Sequence, residues 1–233
     1  MNRPAWMIDE LAHAGEEHLD PEYVAAYDAK SQTDHSQDLN ILHDLGLGSE
    51  STVVDLGAGT GTFALAVASH CKRVVAVDVS PTMLEIMRAN VEKQGLTNVE
   101  IVHAGLLSYE HEGGQADFVY TRNTLHHLPD FWKGVALQRI TRMLRQGGVL
   151  RLHDLVYSFE PSEAEERFES WLTNAPTDPA KGFTREDLEL HIRTESSTYS
   201  WLLEPLLERT GFIIRQVDYR PSGTFAAYVC VKR

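Results

Sequence analysis

Short apolar runs rich in valine recur along the chain, and between them apolar residues fall three and four positions apart. Thr52–Leu56 (TVVDL), Arg73–Asp78 (RVVAVD), Val99–His103, Ala116–Thr121 and Gly148–His153 read as strands. Gly61–His70, Pro81–Gln94 and Phe131–Leu144 read as the helices between them. Pro81 suits a first helical position, Ser80 can cap it and Gly95 supplies the stop. Strands that are apolar throughout and separated by helices predict a parallel sheet covered on both faces. Towards the end of the chain, Trp201–Thr210 predicts a last helix ended by Gly211. Phe212–Asp218 and Thr224–Val231 predict an antiparallel pair joined around Pro221–Gly223.

Right-handed crossovers turn this order into an α/β fold. Its expected form is a Rossmann-like, doubly wound, mostly parallel seven-stranded sheet, with helices on both faces and an antiparallel C-terminal strand pair. Two segments lie outside the alternation, which divides the chain into residues 1–50 as an N-terminal helical cap, 51–157 as a ligand-binding core, 158–200 as a helical lid insertion, and 201–233 as the last helix and strand pair. The lid holds an acidic helix after Pro161 and another after Thr184, where Thr184 and Asp187 are spaced as a capping box. An insertion at that point hangs over the carboxyl ends of the strands, where open α/β sheets bind ligands.

Composition narrows the partners. Across 233 residues, 34 acidic side chains against 21 basic ones leave a net charge of −13. That balance disfavours nucleic-acid and anionic-membrane partners, which need clustered Lys and Arg. Cys71 and Cys230 are far apart and in no metal or redox spacing, so both read as small core residues. The opening MNRPAWMIDE lacks the apolar stretch of a signal peptide, and no run approaches the roughly 18 apolar residues that span a bilayer. The expected location is cytoplasmic, with a homodimer allowed for.

The stretch Val53-Val54-Asp55-Leu56-Gly57-Ala58-Gly59-Thr60-Gly61 is the most informative. A strand runs into alternating glycines and a helix follows, which lets the backbone turn sharply and approach a ligand closely. Asp55 puts a carboxylate beside that turn, suited to an ammonium group and hostile to a pyrophosphate. Asp78 ends the next strand and suits the two hydroxyls of a ribose, while Val79 and Met83 offer apolar contact to an adenine face. A nicotinamide dinucleotide is the competing ligand, but its turn is spaced G-x-G-x-x-G and here the spacing is G-x-G-x-G.

DLGAGTG after a valine run, then VVAVDVSPTML, then ADFVYTRNTLHHLPD and MLRQGGVLRLHD, resembles the class I S-adenosylmethionine-dependent methyltransferases, of the small-molecule type. The resemblance covers residues 51–155 and, more loosely, the tail through Gly211-Phe212. It implies S-adenosyl-L-methionine as cofactor, with the loop Gly57, Ala58, Gly59 and Gly61 around its methionine part and Asp78 on its ribose. It also implies Asn123 and Leu125 near the methionine end, with His126 and His127 close behind. The sequence departs from the family pattern after the third strand. Many members carry there an acid that hydrogen-bonds the adenine amino group, whereas this chain has His103-Ala104-Gly105-Leu106-Leu107. Gly105 and Leu106 are then left with backbone contacts, unless another residue compensates.

The reaction implied is in-line displacement at the sulfonium methyl, with His127 and His153 as candidate general bases for an acceptor that needs one. No metal is expected, because no acid lies between Arg122 and Asp130 and adjacent helical histidines make a poor chelate. No N-P-P-Y-like run follows the fourth strand, which together with the charge points to a small-molecule acceptor. Trp171, Phe183 and Tyr199 are candidates to shape its pocket, and Tyr23 and Tyr27-Asp28 to close over the cofactor. Two other classes share these features: a protein that binds S-adenosylmethionine for regulation or assembly without transferring the methyl, and an NAD-dependent oxidoreductase.

Overall fold

A computed structural model describes residues 4–15, 24 and 33–233. Tyr23, Tyr27 and Asp28 lie outside the described residues. A single sheet orders its strands β3-β2-β1-β4-β5-β9-β8. These are β1 (Thr52–Leu56), β2 (Arg73–Asp78), β3 (Val99–His103), β4 (Ala116–Arg122), β5 (Leu144–Asp154), β8 (Phe212–Tyr219) and β9 (Ala226–Lys232). The first five run parallel, while β9 pairs antiparallel with both β5 and β8. Strand order reverses between β1 and β4, which opens a crevice at their carboxyl ends.

Alternation along each strand divides the core in two. Val54, Leu56, Val75, Val77 and Leu150 face α4 (Asp130–Met143) and α7 (Ser200–Arg209) through Ala136, Leu137, Ile140, Leu203 and Leu207. Val53, Val74, Ala76, Phe118 and Tyr120 face the opposite side. There they meet Leu42 of α1 (Ser36–Asp44), Phe63 and Val67 of α2 (Thr62–Ala68), and Leu84 and Met87 of α3 (Pro81–Gln94). The expected cap on α3 is present: Ser80 accepts from the Met83 amide at 3.2 Å, and Gly95 ends the helix at φ +66°.

The segment after β5 departs from a simple helical insertion. A two-stranded parallel sheet, β6 (Val156–Tyr157) with β7 (Thr198–Tyr199), joins the points where the segment leaves and returns to the core. Between them lie α5 (Ala164–Thr173) and α6 (Arg185–Thr194), the latter opened by the reciprocal Thr184–Asp187 capping box. β5 also begins earlier than the glycines suggest, because Leu144 pairs with Ala116 across a register shift before Val149 resumes the ladder. No helix among the described residues is long and apolar enough to cross a membrane.

Candidate functional site

From Leu56 the chain turns through Gly57 (φ +71°) and Gly61 (φ +88°) into α2. A Cβ on Gly57 would collide with the Thr124 side chain, and one on Gly61 would lie 2.6 Å from Met87 Cγ. Gly61 therefore serves the packing of the turn on α3 and does not line the recess beside it. Gly59 meets nothing nearer than Met83 Sδ at 3.9 Å, so its backbone is left open. The recess it opens on, about 80 Å³, is bordered by Gly57, Gly59, Asp78, Val79, Met83, Gly105 and Leu106.

Asp78 is fixed by the two backbones that meet at the strand end. Its Oδ2 accepts from the Gly59 amide and its Oδ1 from the Ser80 amide, both at 2.8 Å. Each oxygen keeps a further lone pair. Asp55 is 2% exposed and Oδ2 has no hydrogen-bond partner among the described residues. Burial, and then the charge of Asp78, push its carboxyl up to about 8. Arg122 Nε is likewise buried without a partner among the described residues. Asp55 and Arg122 border one small recess together with Gly57, Ala58 and Gly59, so a carboxyl and a guanidinium flank the glycine turn.

Asn123 follows at φ +51°, the only non-glycine residue with positive φ among the described residues. It borders the glycine-side recess and also a second cavity, of about 150 Å³, under α5 and α6. Trp171, Phe183, His191 and Phe225 wall that cavity, and His127 borders both spaces. Tyr199 lies elsewhere, packed on Tyr157, Phe159 and Trp201 where the segment carrying α5 and α6, the cover of that cavity, returns to the core.

Asp154, at the end of β5, organises the turn Leu125–His127. It accepts from the Leu125 amide at 2.7 Å and from His126 Nδ1 at 2.5 Å. Burial favours the neutral imidazole at His126, and the neighbouring His127 acts in the same direction. His127 Nδ1 bonds Glu195 Oε2 at 2.9 Å, a partner delivered by the end of α6. Burial opposes ionisation of Glu195, but the hydrogen bond from His127 and the charges of His127, His126 and His191 together outweigh it and hold the carboxyl low. His126, His127 and Glu195 offer ligand atoms all within 4.8 Å of one another, a set able to hold a divalent cation. The sequence did not suggest it, because the third group arrives from the cover, 68 residues beyond His127.

The structure does not bring His153 to His127. Neighbouring side chains on β5 point to opposite faces, so Asp154 reaches the histidine turn while His153 turns towards α1. There His153 Nε2 bonds Asp38 Oδ1 at 2.6 Å, beside Arg151 Nε at 2.9 Å and the Tyr120 hydroxyl on Oδ2 at 3.0 Å. A further recess borders His153 together with Tyr219 and Arg220, and it shares Asn123 and Phe225 with the cavity under α5 and α6. His153 thus belongs to an ion cluster in which Asp38 of α1 also pairs with Arg151 and Arg122.

Residues 53–148 match the family described as "Methyltransferase domain". The chain is 26% identical to a demethylmenaquinone methyltransferase of Lactococcus lactis over 78% of its own length and 73% of that protein's. It is 33% identical to a probable ribosomal RNA small subunit methyltransferase A of Methanosphaera stadtmanae, but there it spans only 33% of the relative. In fold it is similar to a SAM dependent methyltransferase from Aquifex aeolicus, with a TM-score of 0.65 at 19% identity over 92% of this chain and 99% of that one.

Proposed function

The chain belongs to the class I S-adenosylmethionine-dependent methyltransferases, and from that premise we propose that it methylates a small molecule held beneath α5 and α6. The observation that carries this reading is the sharing of Asn123 and His127 by two spaces, a polar recess at the glycine turn and an aromatic-walled cavity. One is furnished for a methyl donor, the other for an acceptor.

The residues at the first space fit S-adenosylmethionine. The unpartnered Asp55 Oδ2 suits its α-ammonium and the unpartnered Arg122 Nε its carboxylate. Asp78 keeps lone pairs for the two ribose hydroxyls, and Val79, Met83 and Leu106 give apolar contact to the base. Gly57, Ala58 and Gly59 let the chain pass close to the methionine part. When bound, the cofactor supplies an electrophilic sulfonium methyl. The chain's own part is to align the acceptor with it, exclude water beneath α5 and α6, and take up the acceptor's proton. His127 Nε2 is the proton acceptor, since Glu195 takes the hydrogen bond from Nδ1 and fixes the tautomer.

A small acceptor agrees with a cavity of about 150 Å³ and a net charge of −13. Incubating the protein and methyl-labelled S-adenosylmethionine with a cell extract, then separating dialysable compounds, RNA and protein, tests this. Label is expected in a dialysable compound separable from S-adenosylmethionine and absent from extract alone, with His127→Ala lowering its rate about 10²- to 10⁴-fold. Label in RNA or protein instead would overturn the acceptor class. Binding of S-adenosylhomocysteine with no label in any fraction would point to a cofactor-binding protein that transfers nothing.

A further inference from the structure

Glu10 lies far outside the segment that carries the glycine turn, yet its carboxylate ends in the recess beside Gly105. It is 6% exposed; Oε1 accepts from the Leu107 amide and Oε2 from the Ser108 hydroxyl, each at 2.8 Å. Ser108 Oγ in turn accepts from the Gly105 amide at 2.8 Å, so the carboxylate is tied to the turn after β3 on both sides. Gly105 owes its identity to space: a Cβ there would overlap Glu10 Oε1 and stand 2.6 Å from Val79 Cγ1. Glycine at 105 and an acid at 10 are therefore one arrangement, in which a carboxylate enters from the N-terminal segment where none is carried on the turn itself.

A buried carboxylate accepts hydrogen bonds only, and each oxygen here has used one of its two acceptor positions. What it still calls for is an N–H donor on the ligand edge that reaches it. The recess runs from Asp78, at its ribose-binding end, past Val79 and Met83 to Gly105 and Glu10. We propose that Glu10 is the residue that recognises the purine of the cofactor, accepting a hydrogen bond from the 6-amino group and rejecting a 6-oxo purine. This rests on the reading of the recess as an S-adenosylmethionine site. It also assigns a binding role to a residue beyond the 53–148 stretch that carries the family match.

The test measures dissociation constants for S-adenosylhomocysteine and for its deaminated counterpart, S-inosylhomocysteine, by calorimetry. The wild-type protein is expected to prefer the amino form about 10- to 100-fold, as for a hydrogen bond to a charged group. Glu10→Gln, whose amide both donates and accepts, should bring that ratio to within a few-fold of unity. A merely structural role would weaken both ligands alike and leave the ratio where it was. A wild-type protein that binds both ligands equally, or a Glu10→Gln protein that keeps the wild-type ratio, overturns the role of Glu10 and leaves the cofactor reading intact. Failure of the wild-type protein to bind either ligand overturns the cofactor reading itself.

Discussion

Asp55 has a carboxyl held at about 8 against an ordinary 3.8, chiefly because burial disfavours its charged form. Between those values the folded chain keeps a proton that the unfolded chain has released. The native state then binds more protons, so stability falls as pH rises through that window and levels off above it. A cation against Asp55 reverses the preference, so binding a ligand with an α-ammonium should expel the proton. Calorimetry of S-adenosylhomocysteine near neutral pH, in buffers of differing ionisation enthalpy, should show most of a proton released, and Asp55→Asn should show almost none. A heat independent of buffer in the wild-type protein would contradict the pairing. Asp55, Gly57, Gly59 and Asp78 were legible in the sequence because a strand end and the turn after it are local features. Glu10 and Glu195 were not, since each meets its site across a long stretch of chain, and no spacing rule encodes that. The separation of His153 from His127 was not legible for a smaller reason: one residue along a strand reverses the face, so Asp154 and not His153 meets the histidine turn.

At the scale of elements, the cover depends on how α6 begins and ends. Thr184 and Asp187 exchange hydrogen bonds at its start, with the Thr184 amide 2.8 Å from Asp187 Oδ2, and its end delivers Glu195 to His127. Thr184→Ala should cost the helix about 1 kcal/mol. Amides in the first turn of α6 should then exchange about fivefold faster, with those of β1 and β4 unchanged. Unchanged exchange in α6, or a shift spread over the whole chain, would contradict a locally capped cover. The capping box was readable because it is a four-residue pattern. The β6–β7 pair was not, because strands of two residues carry no periodicity and their pairing is set only when the cover folds back. The early start of β5 was hidden likewise, since Gly147 and Gly148 suggest a break that the Leu144–Ala116 pairing spans.

For the whole molecule, the alternation of apolar strands and helices was enough to specify the parallel sheet, its two-sided covering and the antiparallel pair that completes it. The reversal between β1 and β4 then locates the crevice, and the chain fills its two sides differently, with carboxylates and glycines towards β2 and aromatics beneath α5 and α6. The claim on which the rest depends is that the polar side binds S-adenosylmethionine. Titrating S-adenosylmethionine, S-adenosylhomocysteine and NAD into the wild-type and Asp78→Ala proteins tests it most directly. Both sulfur ligands should bind and NAD should not. Removing the carboxylate at 78, with its two ribose hydrogen bonds, should weaken them by about a hundredfold or more. Binding of NAD in their place, or of neither sulfur ligand, would contradict the account.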